Sequence, residues 1–449
     1  MRKGNRILSG LLALVMAAVM LLCPAEAITY EPDFTPTSKA VYLENLDTGL
    51  ILYEKNADEK MYPASLTKIM TAIVVLENVK DLDGETAEYP MWIQNMLYGT
   101  NASLGGLIVG EELTIRQLLT SALVQSGNES AMILAGYVGS GGMADFMPRD
   151  ITTFVEMMND KAKALGCTGT HFTNPTGLHS DNTYTTARDM AIMAKYAMQK
   201  SEFSSIVKNY AVQLGQTNKH ADLWQYSTNK MLLTSSPYYY APVVGIKTGS
   251  TDEAGRCVIS QAEDSGYHYF CVVMGSPVTA AEPYQNFIET RQLYRWAFGN
   301  FSLRTLLEQG ELMAEVPVKY SGNGKVAKLA IKEDVVQLLR DDISLDSIIY
   351  KAELPEFVEA PIAAGDTVGK MHIMLMGEEI GTVELVATQA FSLSWFRKAL
   401  GTIGSLLSST VAKVIFIVVV LAIAGYIVYA VRHNKKRKKH RSKYSDRNY

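Results

Sequence analysis

The chain of 449 residues is 48% hydrophobic and 20% charged, a length and composition that predict more than one folded domain and exclude a disordered protein. Its formal net charge of −4 is unevenly distributed, because residues 1–27 carry +2, residues 432–449 carry +8 and residues 28–431 therefore carry −14. An acidic body lacks the basic face that binds phosphate backbones, which excludes nucleic acid as a partner.

Residues 1–27 have the pattern of a secretory signal peptide. Three basic residues precede an apolar run over residues 7–23, and the small-x-small sequence at residues 25–27 is typical of a cleavage site. We therefore predict cleavage after Ala27 and export of the remaining chain.

Residues 28–305 are predicted to form a catalytic domain in which strands enclose a helical middle. The alternation of residues 39–54 around an Asp-Thr-Gly turn predicts two strands. Further strands are predicted at residues 243–248, 256–263 and 268–275. Helical spacing of apolar residues is found at residues 65–78, 114–123, 129–139, 151–165 and 186–200. This order favours an antiparallel sheet flanked by helices.

Residues 310–388 are predicted to form a small all-β domain. Six short segments of strand-like sequence recur there at regular spacing, separated by Gly, Asp and Pro turns. Residues 389–413 follow as an amphipathic linker, in which Trp395 and Phe396 suit either a helix lying on the membrane surface or a plain linker.

Residues 414–431 are uncharged and would span about 27 Å as a helix, close to the thickness of the hydrocarbon core of a membrane. A buried core helix is the alternative, but the run is apolar on every face. The basic tail at residues 432–449 follows at once and predicts a cytoplasmic C-terminus. We therefore expect a single-pass protein of the cell membrane whose catalytic domain lies outside the cytoplasm.

The exported chain contains three cysteines, Cys167, Cys257 and Cys271, an odd number for an oxidising location. Cys257 and Cys271 flank a predicted turn at residues 264–266 between two strands. A cross-strand disulfide is therefore one possibility and unbridged thiols are the other, because adjacent antiparallel strands often fail the disulfide geometry.

The His and Cys residues show no metal-ligand spacing and no Gly-rich phosphate loop is present, so no metal or cofactor is predicted and Ser and Lys chemistry remains. Ser65-Leu66-Thr67-Lys68 is the main candidate, because positions i and i+3 share one face of a helix and the amine can reach the hydroxyl. Serine is a weak nucleophile without a base, and lysine becomes a base when burial or a second cation lowers its pKa.

Ser-x-x-Lys also occurs at residues 205–208 and 227–230, so the spacing alone is weak evidence. The helix around Ser65 differs from these because it is apolar on almost every face, which predicts that Lys68 is buried. The first turn of that helix would also offer backbone N–H groups to a developing oxyanion.

Two further motifs complete the candidate site. Ser126-Gly127-Asn128 interrupts two predicted helices as a short loop, which distinguishes it from similar triplets at residues 180–182, 227–229 and 321–323, the last of these an expected hairpin turn. Lys247-Thr248-Gly249 is predicted to close a strand, where the glycine lets substrate backbone approach and Lys247 adds a charge that lowers the pKa of Lys68.

Ser-x-x-Lys, Ser-x-Asn and Lys-Thr-Gly in this order are the signature of penicillin-interacting serine acyl-transferases. The sequence resembles the low-molecular-mass penicillin-binding proteins of the serine D-Ala-D-Ala carboxypeptidase family, peptidase family S11. The segments that carry the resemblance are PASLTKIMTA (63–72), SGNESA (126–131), FVEMMNDKAKALGCTGTHFTNPTGLH (154–179), YTTARDMA (184–191), GIKTGSTDEAGRCV (245–258) and ELPEFVEAPIAAGDTVGKM (353–371).

The resemblance implies an α+β fold with a β-lactamase/transpeptidase-like catalytic domain, followed by the all-β domain and the transmembrane helix. It implies Ser65 as acyl-ester nucleophile, Lys68 as proton acceptor and Ser126 as proton relay. Substrate-binding roles fall to Asn128, Lys247, Thr248 and Gly249, and the backbone N–H groups of Ser65 and Ser250 would form the oxyanion hole. The implied substrates are peptidoglycan stem peptides ending in D-Ala-D-Ala, with β-lactams as inhibitors and no cofactor.

One departure concerns the substrate carboxylate, for which some family members carry an Arg soon after the last strand. Residues 275–287 contain none, which leaves Lys247, Thr248, Arg256 or Arg291 for this role.

A class A β-lactamase is an alternative function, but the sequence lacks a Glu-x-x-Leu-Asn segment and has a second domain and an anchor. A non-catalytic penicillin sensor or scaffold is another, although the short tail has no room for a signalling domain. Sequence does not separate a transpeptidase from a hydrolase.

Overall fold

The computed structural model describes residues 30–400 and 410–445. The predicted signal peptide and residues 401–409 of the predicted linker lie outside the described residues. The chain divides into two compact units, the first comprising the described residues up to Ser302 with Leu338–Asp342, and the second comprising Leu303–Gln337 and the residues from Ile343 onward.

The first unit is built around an antiparallel sheet. The strands of the chain up to residue 276 are β1 (Ala40–Asn45), β2 (Ile51–Lys55), β3 (Thr86–Glu88), β4 (Glu112–Thr114), β5 (Ala211–Gln213), β6 (Trp224–Tyr226), β7 (Lys247–Thr251), β8 (Gly255–Asp264) and β9 (Tyr267–Ser276). Five of them form the central sheet in the order β2-β1-β9-β8-β7, and β3 with β4 and β5 with β6 form two small antiparallel pairs. Every pairing in the central sheet is antiparallel, as predicted.

Helices fill the sequence between the opening and closing strands. They are a 3₁₀ turn (Ala64–Thr67), α1 (Lys68–Asn78), α2 (Met91–Leu97), α3 (Ile115–Thr120), a π-helix (Ser121–Gln125), α4 (Asn128–Gly139), α5 (Pro148–Ala164), α6 (Ala187–Met198), α7 (Ser201–Val207) and α8 (Gln285–Asn300). Residues 68–75 of α1 are all buried, so this helix is central, as its apolar sequence predicts.

The two faces of the sheet pack against different helices. Phe270, Val272 and Met274 of β9 belong to the main apolar cluster, which contains most of α1, α4 and α6. Tyr269 of the same strand lies on the other face, where its hydroxyl donates to the carbonyl of Ala297 in α8 over 3.4 Å. Because successive strand residues point to opposite faces, the sheet is sandwiched between helical layers.

The Lys-Thr-Gly motif opens a strand instead of closing one, so this detail of the sequence prediction was wrong. Residues 244–246 are irregular, Val243 makes only an isolated bridge to Ala262, and β7 begins at Lys247. Gly245 accounts for the difference, because its φ of +135° interrupts extended backbone and its carbonyl accepts a hydrogen bond from the side-chain amide of Asn229.

Cys257 and Cys271 are not bridged, and both are free and buried, as is Cys167. In the β8–β9 register Cys271 pairs with Ser260, three residues from Cys257. This odd offset puts the two thiols on opposite faces of the sheet, and only Cys257 belongs to the main apolar cluster. The disulfide considered from sequence is therefore geometrically excluded.

The described chain after α8 forms eight strands and confirms the predicted all-β domain. They are β10 (Phe301–Leu307), β11 (Leu312–Lys319), β12 (Val326–Ile331), β13 (Val335–Arg340), β14 (Ile348–Glu353), β15 (Val358–Glu359), β16 (Thr367–Leu375) and β17 (Glu378–Ala387). Six form a sheet in the order β14-β16-β17-β12-β11-β15, and β10 pairs with β13. Ser321-Gly322-Asn323 lies in the connection between β11 and β12, as predicted for a hairpin turn.

Residues 395–400 are helical, and the side chains of Trp395 and Phe396 are 78% and 74% exposed. Helix α9 (Thr410–Ser445) follows. Within the described ranges, one helical stretch, Lys413–His433, is long and apolar enough to cross a membrane, and it contains the predicted span.

Candidate active site

The predicted site residues meet at one cleft of about 300 Å³ in the first unit. The cleft is lined by residues from the 3₁₀ turn, the loop before α4, β7, β8 and the start of α8. These include five predicted residues, namely Ser65, Ser126, Thr248, Gly249 and Ser250. The remaining predicted residues, Lys68, Asn128 and Lys247, are buried and hydrogen-bonded to the site.

Ser65 lies in the 3₁₀ turn that leads into α1, and Lys68 is the first residue of the helix. The Lys68 ammonium donates to the Oγ of Ser65 over 3.0 Å. It also donates to the side-chain oxygen of Asn128 over 2.8 Å and to the carbonyl of Thr176 over 2.7 Å. Three acceptors therefore hold the amine one turn from the serine hydroxyl, as the i, i+3 spacing predicts.

The Ser-x-Asn loop forms where the π-helix ends. Ser126 adopts a left-handed conformation with φ of +64°, which turns the chain before Asn128 begins α4. The Asn128 amide nitrogen donates to the carbonyl of Ser103 over 3.0 Å, and this bond fixes the amide so that its oxygen faces Lys68. The Lys247 ammonium donates to the Oγ of Ser126 over 2.9 Å.

Both lysines of the site lose their protons more easily than an exposed lysine does. Burial lowers the pKa of Lys68 well below its usual value, and the charge of Lys247 lowers it further, while Glu129 acts in the opposite direction. Burial lowers the pKa of Lys247 to about 7. The lowered pKa favours the uncharged form of Lys68, and the uncharged amine can accept the proton of Ser65.

Strand β7 is an edge strand of the sheet and packs against the Ser65 turn. A Cβ built on Gly249 would lie 2.9 Å from the Pro63 carbonyl oxygen and 3.1 Å from the backbone nitrogen of Ser65. Only glycine permits this approach, which brings the strand beside the nucleophile.

Two contributors to the site were not identified from sequence, because they act through backbone carbonyls. The carbonyls of Ser103 and Thr176 hold Asn128 and Lys68, respectively. The Asn174 side-chain oxygen accepts from the backbone nitrogen of Gly177 over 2.7 Å and shapes the turn that presents Thr176. The Asn-Pro-Thr-Gly sequence is a turn signal that could have marked this segment.

The competing motifs have different surroundings. The Ser205 hydroxyl donates to the carbonyl of Glu202 on the exposed side of α7. Residues 180–182 and 321–323 do not line the cleft. The 227–230 segment does reach the cleft, since Thr228 and Lys230 line it and the hydroxyls of Thr228 and Thr248 lie 2.5 Å apart.

No group of three His, Cys, Asp or Glu residues suited to a metal occurs in the described parts of the chain.

Ser-x-x-Lys, Ser-x-Asn and Lys-Thr-Gly motifs that meet at one cleft are typical of the penicillin-interacting serine acyl-transferases. Solved structures share this fold. Penicillin binding protein 5 from Haemophilus influenzae gives a TM-score of 0.60 at 26% identity, covering 81% of this chain and all of that one. The DD-transpeptidase of Streptomyces K15 gives 0.54 at 30% identity, covering 60% of this chain and all of that one.

Sequence comparisons narrow this class to one family. Residues 26–278 match the D-alanyl-D-alanine carboxypeptidase family, and residues 301–392 match the C-terminal domain of penicillin-binding protein 5. The D-alanyl-D-alanine carboxypeptidase DacF of Bacillus subtilis is 29% identical over 396 residues, covering 86% of this chain and 95% of the relative. The chain belongs to the D-alanyl-D-alanine carboxypeptidase family, peptidase family S11, and the predicted fold and serine carboxypeptidase class are confirmed.

Proposed function

We propose that the protein removes the C-terminal D-alanine from peptidoglycan stem peptides that end in D-Ala-D-Ala, with Ser65 as the nucleophile. The observation that carries this proposal is the hydrogen bond of 3.0 Å between the Lys68 amine and the Ser65 hydroxyl at the base of the cleft. The uncharged Lys68 amine takes the hydroxyl proton as Ser65 Oγ bonds to the carbonyl carbon of the penultimate D-alanine. The backbone N–H groups of Ser65 and Ser250 stabilise the resulting oxyanion.

Collapse of the tetrahedral intermediate breaks the peptide bond and requires a proton on the leaving amine. Ser126 supplies this proton through its hydroxyl, which the Lys247 ammonium contacts over 2.9 Å and can reprotonate. D-Alanine then leaves, and the proton that Lys68 took from Ser65 passes to Lys247 and restores its ammonium. Water attacks the acyl-enzyme with the freed Lys68 amine accepting its proton, and Lys68 returns this proton to the departing Ser65 oxygen. Water therefore receives the acyl group and Ser65 regains its hydroxyl.

The substrate backbone binds along edge strand β7, where Gly249 permits close approach, and the side-chain amide of Asn128 holds its peptide group. Thr248, beside Lys247, faces the end of the substrate that carries the carboxylate. β-Lactams acylate Ser65 as mimics of D-Ala-D-Ala. The Lys68 amine contacts the Ser65 hydroxyl, and the Lys247 ammonium contacts the Ser126 hydroxyl. These two contacts support a catalyst in preference to a non-catalytic penicillin sensor.

The test is the Ser65→Ala variant of the full-length protein, assayed for D-alanine release from diacetyl-L-Lys-D-Ala-D-Ala and for covalent labelling by fluorescent penicillin. We expect both to disappear, with Ser227→Ala as the matched control that keeps both. Mass spectrometry of the penicilloylated peptide identifies the acylated residue. Labelling that persists in Ser65→Ala and is lost in Ser227→Ala would contradict the proposed nucleophile.

We further propose that signal peptidase cleaves after Ala27, that residues 414–431 span the membrane, and that residues 432–449 lie in the cytoplasm. The apolar stretch Lys413–His433 and the adjacent basic residues support this topology. Protease added to intact spheroplasts should digest the catalytic domain and leave a C-terminal epitope tag protected. Loss of the tag under these conditions would contradict the proposed orientation.

A further inference from the structure

Residues 102–108 form a segment without helix or strand, and this 102–108 segment reaches the cleft at Ser103. The Ser103 carbonyl accepts two hydrogen bonds from Asn128, one from its backbone nitrogen over 2.9 Å and one from its side-chain amide over 3.0 Å. The second bond directs the Asn128 oxygen at the Lys68 amine, 2.8 Å away. The geometry around the amine therefore depends on where this irregular segment is held.

Glu129, the residue after Asn128, holds the same segment from inside the protein. Its Oε1 accepts hydrogen bonds from the backbone nitrogen of Gly105 over 2.6 Å and from that of Leu107 over 3.4 Å. Asn128 and Glu129 both lie in the first turn of α4. One helix end therefore binds the segment at two nearby points, the Ser103 carbonyl and the Gly105 N–H.

Gln225 of β6 holds the other side of Gly105. The Gln225 side chain is fully buried, and its nitrogen donates to the Gly105 carbonyl over 2.9 Å. A Cβ built on Gly105 would lie 2.1 Å from the Oγ of Ser121, so the segment also packs closely against the π-helix. Buried polar groups thus fix the position of Gly105, and Ser103 is only two residues away.

A buried carboxylate at residue 129 is costly for the fold. Glu129 is 1% exposed and forms no ion pair with the residues that the structure describes, and its Oε2 is buried without a hydrogen-bond partner. Burial raises the pKa of Glu129, and hydrogen bonds from the backbone N–H groups of residues 105–107 oppose this rise. An apolar residue would avoid the cost of burial, so the hydrogen bonds to the segment are what distinguishes this side chain from simple packing.

We propose that Glu129 is a positioning residue for acylation. It fixes the 102–108 segment against α4, and the Ser103 carbonyl then keeps the Asn128 side-chain oxygen on the catalytic amine. Glu129 does not line the cleft, so it acts through Asn128 and not on the substrate. This inference rests on the proposed function, in which the Lys68 amine accepts the proton of the nucleophile.

The test measures the rate of acylation by fluorescent penicillin in the full-length protein in detergent. We expect Glu129→Ala to slow acylation about 100-fold, the scale of a misplacement of about 1 Å in an active site. Glu129→Gln should restore most of the rate, because its side-chain oxygen can still accept the Gly105 N–H. Glu289→Ala is the matched control, since Glu289 is equally buried and accepts the backbone N–H of Thr37 over 2.6 Å, but neither residue lines the cleft. This control should lower Tm and keep the wild-type acylation rate.

A double variant tests whether Glu129 acts through Asn128. If it does, Glu129→Ala combined with Asn128→Ala should acylate about as slowly as Asn128→Ala alone, because the position of the segment no longer matters once the amide is absent. Losses that multiply in the double variant overturn the proposal, and so does a wild-type rate in Glu129→Ala. A Glu129→Gln rate as low as that of Glu129→Ala also overturns it, since positioning needs only the acceptor oxygen.

Gln225→Ala replaces Glu129→Ala in the test if the latter does not fold, because it removes the other hold on Gly105. We expect acylation to slow roughly 10-fold, in line with one lost hydrogen bond, and a wild-type rate overturns the proposal. Failure of the wild-type protein to release D-alanine from diacetyl-L-Lys-D-Ala-D-Ala would instead show that the proposed function has failed. The wild-type measurement therefore separates the two failures.

Discussion

Gly249 lies so close to Ser65 that a Cβ on the glycine would be 3.1 Å from the serine backbone nitrogen. The two atoms nearest to that Cβ are backbone atoms, the carbonyl oxygen of Pro63 and the nitrogen of Ser65. Side-chain volume at residue 249 is consequently coupled to the position of Ser65, although the two residues are 184 positions apart in the sequence.

Replacing Gly249 with Ala should displace β7 or the Ser65 turn, because the nearest atoms are backbone and have little freedom to move. We expect acylation by fluorescent penicillin to slow about 100-fold, the typical cost of a misplacement of about 1 Å in an active site. Gly299→Ala is the matched control, since a Cβ added there would meet nothing within 4 Å and acylation should be unaffected. Wild-type acylation rates in Gly249→Ala would contradict the close packing of the two segments.

Gly177 packs against the 3₁₀ turn that carries Ser65. Its replacement by Ala should affect both stability and catalysis. Its φ is +81°, and an added Cβ would collide with the Ala64 carbonyl oxygen at 1.8 Å. Gly49 has a similar φ of +73° with nothing within 4 Å, so Gly49→Ala isolates the backbone strain of about 1–2 kcal/mol. We expect Gly177→Ala to lose more unfolding free energy in urea than Gly49→Ala, and to acylate more slowly because the Thr176 carbonyl moves. Equal losses in both variants would argue against the steric contact.

The pH dependence of acylation should respond to the second lysine. Acylation requires uncharged Lys68, so the rate rises with pH through the pKa of Lys68, which burial and the charge of Lys247 both lower. In Lys247→Ala the repulsion is absent and the pKa of Lys68 rises, so the acidic limb of the profile should move to higher pH. Stopped-flow acylation measured across the pH range tests this, with the exposed Lys80→Ala as control. A limb that stays in place or moves to lower pH would show that Lys247 does not act through its charge.

The three cysteines of the described chain should behave as inert thiols. Burial raises the pKa of Cys257 to about 11 and that of Cys167 to about 12, and it raises the pKa of Cys271 as well. We expect no alkylation by iodoacetamide in the native protein and three modified thiols in denaturant, without prior reduction. A reductant should leave Tm unchanged. Recovery of only one thiol in denaturant would indicate a disulfide.

The parts of the site that sequence predicted well depend on local spacing. Ser65 and Lys68 are one helical turn apart, so their contact follows from helix geometry once the apolar surroundings bury the lysine. The carbonyls of Ser103 and Thr176 were not predicted, because every residue has a carbonyl and only the tertiary structure selects which one faces an amine.

The fold shows the same division between local pattern and tertiary context. The strands of the two domains follow from alternation, but the beginning of β7 was misplaced. Residues 243–246 are mostly β-branched and apolar and hydrogen-bond to β8, yet Gly245 interrupts their extended backbone. The Cys257–Cys271 pair could not be decided from sequence, since a shift of one residue in the β8–β9 register decides whether the two thiols lie on the same face of the sheet. The domain boundaries and the roles of the site residues stay predictions.

The three acceptors around Lys68 determine the direction of proton transfer. A neutral amine has two N–H groups and one lone pair, so one of the three oxygens must supply a hydrogen when the ammonium loses its proton. The Thr176 carbonyl and the Asn128 side-chain oxygen carry none, which leaves the hydroxyl of Ser65. Deprotonation of the lysine therefore reverses a single hydrogen bond, the one to the nucleophile, and the free electron pair is aimed at the proton that it must remove.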